Sequence, residues 1–186
     1  MAATTDNQTR CVTERVSTLS PDEILSLANI FSSLADIYPL SYMRPLSTIK
    51  AAAFFENVLA SPTSKRLIIA RSSATDPTIV GTVTLSLAYQ ENAPHRADVV
   101  KLMVHPDYQR RGIGAVLMAT MEDVARREGR RLLILDTATG GAAVSFYQRL
   151  GWQEVGSIPN YSRSPDGKQF LATHIFYKEL PSVGAS

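Results

Sequence analysis

Gly112 and Gly114, with Arg110 and Arg111 just ahead of them, are the residues whose types and spacing most directly imply chemistry. They stand in the stretch Gln109-Arg110-Arg111-Gly112-Ile113-Gly114-Ala115, between a strand-like and a helix-like segment. Two glycines at a helix start let the backbone approach a ligand closely and aim unpaired amides at it. The helix dipole and the two arginines add positive charge at the same point. Such a turn suits an anion, above all a phosphate or pyrophosphate. A tight turn whose glycines only relieve strain reads the same way, because short glycine motifs are weak signals. Two familiar phosphate loops do not fit: GxxxxGK[ST] is absent, and Leu117 stands where G-x-G-x-x-G needs its third glycine.

The elements that must hold this turn are legible on either side. Arg96 to Val104 is rich in β-branched and apolar residues and reads as a strand that Pro106 ends. From Gly112 the period changes. Ile113, Val116, Leu117, Met121, Val124 and Ala125 recur at helical spacing and make one apolar face. Glu122 precedes Arg126 by four residues and Asp123 precedes Arg127 likewise, which predicts ion pairs on the outer face. Gly129 then suits the helix C-terminus.

The Gln109-to-Gly114 run resembles the Q/R-x-x-G-x-G/A signature of the GNAT acetyltransferases. A hydrophobic strand ending Leu102-Met103-Val104 precedes it, as in that family, and Ala143 to Trp152 (AVSFYQRLGW) resembles the family's AxxFYxxxGF helix. From Arg96 to Leu180 the chain is more narrowly similar to the tabtoxin-resistance acetyltransferase branch, through KLMV, LLILDT and Pro165-Asp166-Gly167. The likeness covers the C-terminal half well and the N-terminal half loosely. It implies an α/β (α+β) GNAT fold, a mixed sheet of about six or seven strands flanked by about four helices.

The resemblance also implies roles. Acetyl-CoA is the expected co-substrate. Its pyrophosphate falls to Gln109, Arg110, Arg111, Gly112, Ile113, Gly114 and Ala115, and its thioester and pantetheine to the main chains of Leu102, Met103 and Val104, where two adjacent strands splay apart. Tyr147 is the expected acid for the departing thiolate, since a phenol of pKa about 10 keeps its proton at neutral pH. A core tyrosine with a satisfied hydroxyl is the alternative. Asp98 holds the strand position where some family members carry a glutamate and is the expected base, the alternative being a surface ion pair. Tyr38, Tyr42 and Met43, in a loop beside the implied acceptor mouth, are candidates for substrate contact or for ordinary packing, and His174 is a further candidate. His105 sits at the phosphate end of its strand, away from the chemistry. Gly140 departs from the asparagine that many family members have there, so no side-chain contact is carried over to it.

The expected activity is direct acetyl transfer, within a ternary complex and without a metal, to the primary amine of a small amino-acid-like metabolite or toxin. A protein amino terminus or lysine is the alternative acceptor. An acyl-CoA-binding sensor or silent partner subunit is the alternative outside enzymology.

The rest of the chain sets bounds. Its 186 residues suit one domain over 11–180 between tails at 1–10 and 181–186. A formal charge of +2 gives no ground for nucleic-acid or membrane binding, and Arg126, Arg127, Arg130 and Arg131 read as a solvated helix end. One cysteine, Cys11, excludes an internal disulfide and a Cys-based zinc site. With no signal-like or spanning apolar run, the expected compartment is the cytoplasm, the nucleus remaining open, and the expected state a monomer or homodimer. Arg15 to Leu19 could form a first strand. Ser20-Pro21-Asp22-Glu23 predicts a capped helix start, followed by the apolar stripe Ile24, Leu27, Ala28, Phe31 and Leu34. Ser47 to Leu59 reads as a second helix, and Arg66 to Arg71 and Ile79 to Leu87 as strands joined by a turn at Asp76-Pro77. Arg131 to Asp136 reads as a strand buried on both faces, Ala142 to Leu150 as a helix, and Trp152 to Val155 and Thr173 to Tyr177 as the last strands.

Overall fold

The computed structural model describes residues 11–73, 75, 77–138 and 142–181. The tail at 1–10, nearly all of the tail at 181–186, Asp76 of the expected Asp76-Pro77 turn and the pair Gly140-Gly141 lie outside the described residues.

Seven strands form one sheet: β1 (Val12–Val16), β2 (Lys65–Arg71), β3 (Ile79–Leu87), β4 (Arg96–Val104), β5 (Leu132–Ala138), β6 (Gln153–Arg163) and β7 (Phe170–Glu179). Their spatial order is β1-β2-β3-β4-β5-β7-β6, antiparallel throughout except for β4 against β5. The helices are α1 (Pro21–Ala35), α2 (Thr48–Leu59), α3 (Ile113–Arg127) and α4 (Ala142–Arg149). This is the mixed α/β architecture that the resemblance implies.

Alternation along the strands divides the core in two. Leu67, Ile69, Ile79 and Met103 face α1 and α2, where Leu27, Phe31, Leu34, Phe55 and Val58 are buried with them. Ile68, Val80, Val83, Leu85, Ala97, Val99, Leu133 and Leu135 turn the other way, onto Ile113, Leu117, Met118, Met121 and Val124 of α3. Each large side chain sealed in these layers contributes about 1.5–3 kcal/mol of hydrophobic stabilisation. α1 begins as its sequence predicts: Ser20 Oγ accepts from Glu23 N at 3.3 Å, and Glu23 Oε2 accepts from Ser20 N at 2.8 Å.

Two interruptions around β4 shape everything functional. Between Thr82 and Thr84 of β3 lies one residue, but between their partners Met103 and Val100 lie two, so β4 carries a bulge. Lys101 sits there with φ +56°. On the other side, β4 pairs with β5 only through Arg96↔Leu132, Ala97↔Leu133 and Asp98↔Ile134. Past Asp98 the two strands share no ladder, and the sheet is split.

Several sequence expectations need correction. The first strand is Val12–Val16 rather than Arg15 to Leu19, because the chain must leave the sheet before the Ser20 cap. β5 buries Leu133 and Leu135 but not the alternate residues, since the split leaves one of its faces open. β6 runs on to Arg163, with Pro159 accommodated in a register shift between Ile158 and Ser162 on this edge strand. On α3, Val116 is exposed and Met118 buried. Glu122 does meet Arg126, at 3.5 Å, but it faces inward and pairs more closely with Lys178 of β7 at 2.6 Å, while Asp123 reaches Arg126 at 2.7 Å rather than Arg127. No helix among the described residues is long and apolar enough to cross a membrane.

Candidate active site

The glycine turn is braced from below. His105 N donates to Val80 O at 2.8 Å, and Pro106–Tyr108 forms a single 3-10 turn in which His105 Nδ1 accepts from Asp107 N at 3.2 Å. Gln109 Nε2 donates to Val104 O at 3.1 Å, which fastens the loop to the end of β4. Arg111 donates to Asp107 O at 2.8 Å, its guanidinium lying 5.2 Å from the Tyr108 ring centre. Arg110 and Gly112 both take positive φ, +62° and +82°. Ala115 N and Val116 N both donate to Gly112 O, at 3.0 and 3.2 Å.

The main-chain N–H groups of Arg110, Arg111, Gly112, Ile113 and Gly114 therefore find no acceptor among the described residues. Successive free amides at a helix N-terminus form a concavity for an anion. A Cβ on Gly112 would meet nothing within 4 Å, so the turn is open on that side. Gly114 is closed: a Cβ there would lie 3.3 Å from the Phe146 ring, which lets α4 sit close to α3.

The split brings the acid–base candidates to one place. Ala97 and Val99 face α3, so Asp98 between them projects toward the α1–α2 side. By the same alternation with Leu133 and Leu135, Asp136 projects to that side from β5, two residues past the last β4–β5 pair. Asp98 makes no ion pair among the described residues, so the surface-pair alternative finds no partner there. Burial raises its pKa above the ordinary aspartate value; Arg96 opposes the rise and Asp136 adds to it. Asp136 accepts a long hydrogen bond from Thr173 Oγ1 at 3.4 Å and is otherwise exposed.

Tyr147 enters from the opposite layer. Its ring packs among Phe146, Phe176 and Trp152, with centroids at 5.2, 5.8 and 6.1 Å. Its hydroxyl has no hydrogen-bond partner among the described residues and is not sealed from solvent, unlike the indole nitrogen of Trp152 beside it. A satisfied core tyrosine is thus not what α4 presents. Burial pushes the phenol up to about 12, and the Asp136 carboxylate adds to the rise. It holds its proton across the whole physiological range.

Leu102 and Val104 point their side chains toward α3 and Met103 toward α1 and α2, while their backbones run along the unpaired edge of β4. Over the α1–α2 side lies the loop after α1. Tyr38 and Met43 are about half exposed (46% and 51%), whereas Tyr42 packs edge-on against Phe31 at 5.2 Å. Arg44 latches this loop to the β6–β7 turn: its N–H donates to Pro165 O at 3.0 Å and its Nη2 lies 3.4 Å from Asp166 Oδ2. His174 is held 2.6 Å from Glu154 Oε1 across the β6–β7 pair. A surface cavity of about 410 Å³ lined by Pro94, His95, Gly129 and Arg131 lies at the far end of α3 from the turn.

Two residues on the α1–α2 side of the sheet, Asp136 and Lys101, were not among the candidates that the sequence offered. Asp136 could have been found as the lone acid ending an apolar run, at the same parity as Ile134. Lys101 could not, because only the bulge turns it inward.

The model of the Acetyltransferase (GNAT) family matches residues 28–152. The chain belongs to the GNAT family. It is 34% identical over 74 residues to the ribosomal protein bS18-alanine N-acetyltransferase of Escherichia coli, covering 39% of this chain. It is 31% identical over 87 residues to an uncharacterised N-acetyltransferase of Methanocaldococcus jannaschii, covering 45% of this chain and 38% of that protein. The chain spans about half the length (50%) of the first of these curated relatives. The GNAT fold recurs in an N-acetyltransferase of Staphylococcus aureus, at TM-score 0.76 and 14% identity over 92% of this chain and 99% of that one. It recurs again in a protein of Salmonella typhimurium, provisionally named an acetyltransferase and solved with its cofactor acetyl-CoA, at TM-score 0.74 and 14% identity over 95% and 96%. GNAT proteins use acetyl-CoA, and the free amides of the turn, the open side of Gly112 and the unpaired edge of β4 fit its pyrophosphate and amide-bearing arm.

Proposed function

We propose that this GNAT protein is an acetyl-CoA-dependent N-acetyltransferase for the primary amine of a small, amino-acid-like acceptor. The observation that carries the reading is the protonated Tyr147 hydroxyl, which has no partner among the described residues, with Asp98, which makes no ion pair among them, and Asp136 at the split between β4 and β5. Bound acetyl-CoA supplies the thioester. The turn from Gln109 to Ala115 holds the diphosphate, and the main chains of Leu102, Met103 and Val104 hold the arm and polarise the carbonyl, a preorganised backbone contribution that favours acyl transfer. Asp98 takes the proton from the acceptor's ammonium, directly or through a water. The freed amine nitrogen then forms its bond to the acyl carbon as the carbon–sulfur bond breaks, and Tyr147 gives its proton to the sulfur. Tyr38, Tyr42 and Met43 line the acceptor's approach.

The sequence likeness to the tabtoxin-resistance branch, through KLMV, LLILDT and Pro165-Asp166-Gly167, favours the small acceptor. The E. coli relative, whose name gives a ribosomal-protein alanine as its acceptor, favours a peptide amino terminus. Free-thiol release measured over amino acids, polyamines, amine antibiotics and short peptides separates the two. Turnover of small amines is expected. Turnover of peptides alone would move the acceptor to a protein, and no turnover with any amine would leave an acyl-CoA-binding protein.

A further inference from the structure

Lys101 is a partly buried cation that no carboxylate among the described residues reaches at ion-pair distance, the nearest charge acting on it being the more distant Asp136. Its ammonium donates to Leu40 O at 2.8 Å and to Ser41 Oγ at 3.1 Å, and lies 5.8 Å from the ring centres of both Phe31 and Tyr42. Those partners are all neutral. Among the described residues no carboxylate lies within 4.0 Å of it, and two hydrogen bonds leave one of its three N–H groups unused. Charged side chains withdrawn from water are normally paired, because desolvation without a partner is costly. Two aromatic faces and two neutral acceptors offset part of that cost.

The position of this cation is as informative as its isolation. A bulge at Lys101, with φ +56°, breaks the alternation of β4 and swings its side chain to the α1–α2 side, the side that Asp98 and Asp136 also face. The lysine thus stands under the acceptor loop, three residues along β4 from Asp98. An acceptor with an amine at one end and an acid at the other would meet carboxylates and an ammonium across the same short span.

We propose that Lys101 is the anion site of the acceptor: its ammonium pairs with a carboxylate on the molecule whose amine faces Asp98. The inference rests on the acetyl-transfer reading and deepens it, assigning the acceptor to free amino acids and related zwitterions. A protein amino terminus, whose neighbouring carbonyl is an amide, lacks the group that Lys101 would pair with. Hydrogen bonds to a charged group contribute about 1.5–3 kcal/mol, roughly ten- to a hundredfold in affinity.

The test is a thermal-shift titration of the coenzyme A-loaded protein with α- and β-amino acids and dipeptides, each beside its own carboxamide. At least one acid should bind tenfold or more tightly than its amide. That ratio should fall to near one in Lys101→Met and largely survive in Lys101→Arg. A lysine that only tethers the loop at Leu40 and Ser41 would, when replaced, weaken acid and amide alike and leave their ratio unchanged, which would overturn the proposal. Equal binding of acid and amide by the unaltered protein, or binding of no acid, would overturn it too. Stabilisation by coenzyme A alone, read in the same titration, reports separately on the underlying reading: its absence would sink acetyl transfer itself.

Discussion

Burial acts on Tyr147 and Asp98 in the same direction and yields opposite tools. The phenol, pushed to about 12, stays a donor at any physiological pH, while the carboxyl, raised above its usual range, becomes a better proton acceptor once ionised. Tyr147→Phe removes only the hydroxyl, which holds no partner in the described chain, so the fold should keep its stability. Turnover should fall by about a hundredfold, within the usual range for a lost general acid, with coenzyme A affinity unchanged. An unaltered rate in steady-state assays would remove the tyrosine from the reaction. For Asp98 the sign runs the other way. The proposed transfer needs the ionised carboxylate, so kcat/KM should rise with pH along a limb set by Asp98, above the ordinary aspartate value of about 3.9. In Asp98→Asn that limb should vanish from the pH–rate profile along with most of the activity; a retained limb would assign the base elsewhere, with Asp136 the nearest acid.

At the level of elements, the site is a set of places where regular structure stops. α3 begins at a left-handed Gly112, and the five amides from Arg110 to Gly114 find no acceptor among the described residues. Gly112→Val forces a β-branched residue to φ +82° and should cost roughly 1–2 kcal/mol of strain. Relaxing that strain would re-aim the amides, so coenzyme A affinity, measured by calorimetry, should fall more than tenfold. Retained affinity would mean that the diphosphate binds elsewhere. The bulge and the split in β4 are interruptions of the same kind. Each leaves backbone or side-chain groups without a ladder partner, which a regular strand in that position would have consumed.

Across the whole molecule, long-range ion pairs tie α3 to the sheet. Arg66 of β2 grips Glu128 at the end of α3 through contacts of 2.6 and 2.8 Å, and Arg15 adds a third at 3.0 Å. Lys178 of β7 joins Glu122 of α3 at 2.6 Å to the Leu150 carbonyl after α4 at 2.8 Å. Hydrogen bonding from Arg66 holds Glu128 below the ordinary glutamate range. The stabilisation is therefore complete above the unfolded value of about 4.3 and is lost as pH falls through the lower folded value. Glu128→Gln leaves Arg66, which is 8% exposed, without its carboxylate partner and should cost about 2 kcal/mol at neutral pH. The gap between variant and parent in denaturant midpoint should close in acid; a gap independent of pH would show that packing, not charge, holds this corner.

Local chemistry was readable from the chain alone. Glycines with arginines before an amphipathic run marked the turn, Ser20 to Glu23 marked a cap, and periodicity marked the helices, because each depends on residues a few positions apart. The motif tyrosine and the strand aspartate were named only through the resemblance to the GNAT family, not by spacing. What tertiary structure alone decided was which partners are missing. That the Tyr147 hydroxyl finds no partner among the described residues, that β4 and β5 part after Asp98, that Asp136 faces the same opening and that Lys101 swings inward all depend on strands and helices distant in sequence. An unpaired group is defined by its three-dimensional neighbours, and no spacing along the chain encodes their absence.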